Sequence, residues 1–123
     1  MKVYSVNEAL NEKSAYHGQR IYIEGVLTFE TENITLLHWP LSERGQRSIW
    51  LKESEGPLRF NHAGMERLAA KKVIALGEFQ SELSPDNENF YHGFGHFGMW
   101  SVQLVVTEIQ YYKKWHEANG SKT

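Results

Sequence analysis

Apolar and polar residues alternate through the first third of the chain. Ile21, Ile23, Leu27 and Phe29 fall on one face of an extended segment that starts at Gly18. Tyr22, Glu24, Thr28 and Glu30 fall on the other. That period of two predicts a half-buried strand. Gly25 interrupts it and predicts a bulge or sharp coil. Thr31, Glu32 and Asn33 read as a turn. Ile34 to Trp39 is a second strand, ended by Pro40. Arg47 to Lys52 is a third, with Ile49 and Leu51 on one face and Trp50 on the other. Val73 to Phe79 is almost wholly apolar and predicts a buried strand. Trp100 to Ile109 is the last.

Helical signals lie between and outside these strands. Ser5 and Glu8 fit a capping box, in which each side chain meets the other residue's backbone amide. They predict a short helix over Asn7 to Ser14, with Val6, Ala9 and Leu10 against the body. Asn61 caps a second helix, His62 to Ala70, whose apolar stripe is Met65, Leu68 and Ala69. Lys71 and Lys72 follow it. Tyr111 to Trp115 either extends the last strand or forms a short tail helix. Gln80 to Met99 is too long for a plain connection and reads as functional or disordered. Residues 120–123 read as frayed.

The order is helix, three strands, helix, two strands. A five-stranded Greek-key barrel carries its capping helix between the third and fourth strands. The stretches Gly18 to Leu27, Leu68 to Phe79 and Leu104 to Ile109 follow the strand-and-glycine pattern of that barrel. On them the chain resembles an OB-fold protein over residues 17–110, although no specific family within the superfold is indicated. The fold class expected is mainly β: a five-stranded OB-like barrel with a short helix between strands 3 and 4 and a short N-terminal helix. An open α+β sheet is the rival. Ala70 departs from the pattern, since such barrels often carry Gly there, and little cost is expected. The resemblance implies a ligand surface on the second and third strands and their neighbouring loops. It does not fix function.

Composition narrows the field. The 123 residues suit a single domain, 1–123, with 41% hydrophobic and 13% aromatic residues. There is no cysteine, so disulfides, thiolate nucleophiles and Cys-ligated metals are excluded. The N-terminus has no apolar core of the signal-peptide kind, and no apolar run is long enough to span a membrane. A cytoplasmic location is expected. The net charge of −2 weighs against a dedicated nucleic-acid binder, which usually carries a basic surplus.

Two places could recognise a ligand. The first interleaves glycine with aromatics and histidine: Tyr91, His92, Phe94, His96, Phe97 and Trp100. The rings could stack on a partner, or they could plug the barrel end. His92 and His96 are four apart, but Gly93 and Gly95 oppose a helix, and zinc needs further ligands. His17, His38, His62 and His116 are scattered, so neither metal nor cofactor is expected. The second place is a basic, aromatic face with His38 and Trp39 on one strand and Arg47, Trp50 and Lys52 on the next. Ordinary surface charge explains the same residues. The Lys113–His116 cluster reads as a tail or a packing Trp. Glu30 and Glu32 form a weak acid–base pair, and no catalytic motif is present.

A non-enzymatic binding module is the reading these features favour. Its expected partner is a protein, as for an inhibitor or a toxin-neutralising immunity protein. The alternative is single-stranded nucleic acid, with Trp39 and Trp50 stacking bases. A metal-dependent or acid–base enzyme is weaker. Edge strands and surface Trp would also suit a homodimer.

Overall fold

The computed structural model describes residues 2–30, 33–39, 47–53, 62–81 and 100–119. Within them β2 (Arg20–Glu30), β3 (Asn33–Leu37), β4 (Ser48–Glu53), β5 (Lys72–Ser81) and β6 (Val102–Tyr111) close a barrel. The order around it is β2-β3-β4-β6-β5, and β5 returns to β2. All pairs are antiparallel except β4 with β6. This is the Greek-key order of an OB-like barrel. Helix α3 (His62–Leu68) lies between the third and fourth barrel strands, as expected.

The core follows the alternation. Ile21, Ile23, Leu27, Leu36, Ile49, Leu51, Val73, Ala75, Phe79, Val102, Leu104 and Val106 share one buried cluster. Their inward parity leaves Tyr22, Trp50, Ile74 and Leu76 on the outer surface of the sheet. No Trp belongs to that cluster.

Of the bulge and the sharp coil expected at Gly25, the bulge is ruled out. Pairing of β2 with β5 runs in unbroken register from Arg20 to Val26. Gly25 instead sits where the opposite edge of β2 passes from β1 (Val3–Ser5) to β3. A Cβ there would collide with the Leu37 carbonyl and lie 2.7 Å from Leu36 Cγ. The residue is glycine because two backbones approach too closely for anything larger.

The irregularity lies between β5 and β6. Leu76 pairs with Glu108 but Gly77 pairs with Val106, so Thr107 is the extra residue. The Thr107 hydroxyl donates to the Leu76 carbonyl at 3.2 Å and accepts from Arg20 Nη2 at 3.2 Å. One extra residue inverts the parity of everything after it. Val102, Leu104 and Val106 point inward before it, and Ile109 packs against the core after it.

Two other boundaries differ from expectation, and the tail takes one of the two forms expected. The first helical segment divides at Glu12 into α1 (Val6–Asn11) and α2 (Lys13–Tyr16). The Ser5–Glu8 capping box is present, with bonds of 2.9 and 3.1 Å. Helix α3 stops at Leu68, because Ala70 adopts a left-handed φ of 63°. The tail forms a helix, α4 (Tyr112–Asn119), directly after β6. Its Trp115 is buried and meets Tyr22 with ring centroids 5.6 Å apart. The predicted Asn61 cap, most of Gln80 to Met99, and residues 120–123 lie outside the described residues.

Candidate functional site

Strand β4 presents two kinds of residue. Ile49 and Leu51 enter the core, so Ser48, Trp50 and Lys52 face outward. Trp50 pairs across β3 with Thr35, which is buried. Trp100 stands just before β6, and its ring lies 5.0 Å from that of Trp50 at an interplanar angle of 49°. Trp100 Nε1 donates to Ser48 Oγ at 2.9 Å. That bond fixes the orientation of a large half-buried ring on the outer wall. Lys52 is exposed one step further along the same face. Trp50, Trp100 and Lys52 thus form one surface.

The other members of the predicted basic face go elsewhere. Arg47 reaches α1: it donates to Asn7 Oδ1 at 3.3 Å, the Asn7 carbonyl at 3.1 Å and Asn11 Oδ1 at 2.8 Å. It clamps the helix to the barrel. His38 is buried, and its Nδ1 accepts from the Asn7 amide at 3.1 Å. Asn7 N–H is one of the amides that a helix start leaves without an internal partner, so His38 completes the cap of α1. His17 Nδ1 similarly accepts from the Ser81 amide at 3.0 Å.

Trp39 lies past the last rung of β3 and is 39% exposed. The Lys72 ammonium sits 5.1 Å from its ring centroid. No ring contact joins Trp39 to Trp50 among the described residues. Lys72 also sits 3.7 Å from the centroid of Tyr112 and 3.9 Å from Glu24 Oε2. Tyr112 stacks on His116 at 5.5 Å and 13°. Trp39, expected on the β3–β4 face, is joined through Lys72 to the start of β5.

Tyr91, His92, Phe94, His96 and Phe97 lie outside the described residues. Among the described residues, no three His, Asp or Glu side chains are grouped to hold a metal ion. No helix among them is long and apolar enough to cross a membrane. Tyr16, which meets Tyr4 at 4.7 Å, has its hydroxyl pushed above the usual tyrosine value. The hydrogen bond with Tyr4 is the main cause. That pair ties α2 to β1.

Sequence reasoning missed one assembly. The start of β5 and the end of β6 meet the start of α4 in a cleft of about 520 Å³. Lys71, Lys72, Tyr111, Tyr112, Lys113, Lys114 and Glu117 line it. The signal available was two Lys-Lys pairs, one beside Val73 and one after Tyr111, which the strand register sets opposite each other. Comparison with protein-family models and with curated proteins finds no match for this chain.

Proposed function

We propose that this domain is a non-enzymatic binding module that engages a protein partner through the outer face of β3 and β4. A small inhibitor or a toxin-neutralising protein would work this way. The observation that carries the proposal is the Trp50–Trp100 pair. The barrel fills its core without either ring. Both are held at the surface, one of them by a hydrogen bond to Ser48. Rigid aromatic anchors of this kind dominate binding energy at protein interfaces. With Arg47 engaged by α1, Lys52 is the cation this face keeps among the described residues, which suits a mainly apolar partner surface better than a phosphate backbone. The segment Tyr91 to Phe97 runs in sequence into Trp100 and belongs to the same proposal.

The test is a tagged purification from source cells with Trp50→Ala/Trp100→Ala beside wild type. A stoichiometric protein should accompany wild type and be lost from the folded double variant. If that protein is toxic when expressed alone, co-expression with wild type should restore growth. A folded double variant that retains the same partner would place the interface elsewhere.

A further inference from the structure

The cleft beside α4 carries chemistry that the Trp50–Trp100 face does not. Lys71, Lys72, Lys113 and Lys114 line it, and Arg67 lines the adjoining hollow that shares Tyr111 and Lys114. Glu117 is the one carboxylate on its wall. These five cations come from a total of 13 in a chain whose net charge is −2. Lys72 is already engaged by Glu24 and by two rings. Lys71, Lys113 and Lys114 are exposed, and none has an ion-pair partner among the described residues.

Two further observations point to an anionic, aromatic-seeking ligand. The first is where the lysines sit. Lys113 and Lys114 occupy the first turn of α4, which contains no acidic residue. Cations there oppose the helix dipole, so the helix gains no stability from them. The second is where the large exposed apolar side chains sit. Among the described residues these are Trp39 and Tyr111, each 39% exposed. Both belong to this end of the barrel: Trp39 lies against Lys72, and Tyr111 is in the cleft wall. The Tyr111 hydroxyl donates to the Arg67 carbonyl at 3.0 Å, which anchors the ring while leaving part of it open. The extra residue at Thr107 puts Tyr111 on this side of β6.

We propose that this cleft binds a nucleoside phosphate, with the base on the Tyr111 ring and the phosphate among Lys71, Lys113 and Lys114. Open rings stack on base faces, and lysine ammonium groups donate to phosphate oxygens. The volume falls within the range of small-ligand sites. A free mononucleotide and one unit of a single strand share this chemistry. The site is separate from the Trp50–Trp100 face, so either proposal can fail alone.

The test measures binding of AMP by calorimetry and of a labelled short oligothymidylate by fluorescence anisotropy, both at low salt. Affinity for at least one should fall about tenfold or more in Lys113→Glu/Lys114→Glu and fall further with added salt. Tyr111→Leu should weaken it and Tyr111→Phe should restore it. Lys52→Glu, on the other face, should leave it unchanged. Binding of AMP would assign a free nucleotide, and binding of the oligonucleotide alone would assign a single strand. No binding of either by wild type at low salt overturns the proposal. So does an equal loss in Lys52→Glu. Inorganic phosphate or a polyglutamate peptide binding as tightly, with no effect of Tyr111→Leu, would show a patch that attracts any anion, including an acidic protein, and would also overturn it.

Discussion

Ala70 holds a left-handed backbone at φ 63° to end α3, and its amide donates to the Leu27 carbonyl at 2.7 Å. A residue with a Cβ pays roughly 1–2 kcal/mol for that conformation. Glycine would avoid it but would lose roughly 0.4–1 kcal/mol to the freer unfolded chain. The strain is the larger effect. Ala70→Gly is therefore expected to stabilise the protein by up to about 1 kcal/mol, or about 4 °C in Tm. A thermal melt checks this, and an unchanged or lower Tm would refute it. The OB-like pattern marked this position in the sequence, but the backbone strain at Ala70 makes the departure more costly than expected. Gly25 was legible as a special position, but not as the point of close approach that makes it glycine. A bulge would tolerate alanine, whereas a close approach to the Leu37 carbonyl does not. Gly25→Ala should thus cost nearly as much as Gly25→Val, about 3 kcal/mol or more in each. Urea melts of the two variants decide it, and a mild Gly25→Ala would show that the Leu36–Leu37 segment can move aside.

Elements were legible where alternation or capping specified them. The five barrel strands and the Ser5–Glu8 cap followed from residue order because each rests on local pattern. Strand β1 was not legible, since three residues carry no period and its pairing with Tyr22 to Glu24 is non-local. The side chains of the candidate basic face are dispersed for a related reason. His38, Trp39 and Arg47 flank the ends of β3 and β4, where parity no longer governs direction. Two of them serve α1 instead. Removing His38 leaves the part-buried Asn7 amide without its acceptor, which costs about 2 kcal/mol. Ser5→Ala removes an exposed cap bond and costs about 1 kcal/mol. His38→Leu should therefore destabilise more than Ser5→Ala in urea, with amide exchange in α1 accelerated in both. Equal or reversed effects would show that His38 does not complete the cap. The lysine cleft was illegible for want of register. Lys71 and Lys114 are distant in sequence, and only the pairing of Val73 with Tyr111 brings their strands' ends together.

At the scale of the molecule, closure of the barrel governs how it comes apart. Each barrel strand is bonded to a neighbour on both sides, so none can leave without breaking two ladders. Helix α4 lies outside that ring, and the question is whether it frays first. It follows β6 with no intervening loop and packs on β5 and β6. By parity Ile74 and Leu76 face outward on β5, yet both are buried, and Trp115 is only 8% exposed beside Tyr22. A tail that merely frayed would leave these side chains in water, at roughly 25 cal/mol per Å² of apolar surface. Helix α4 should therefore unfold with the barrel. The expectation is one urea transition, coincident by far-UV circular dichroism and by Trp fluorescence, as for a two-state domain of this size. Trp115→Ala should lower its midpoint without splitting it. A separate early fluorescence change, absent from Trp115→Phe, would show α4 to be an independent unit. The wall that Lys113 and Lys114 give the cleft would then form only part of the time, and ligand affinity would fall by the fraction of molecules in which it is folded.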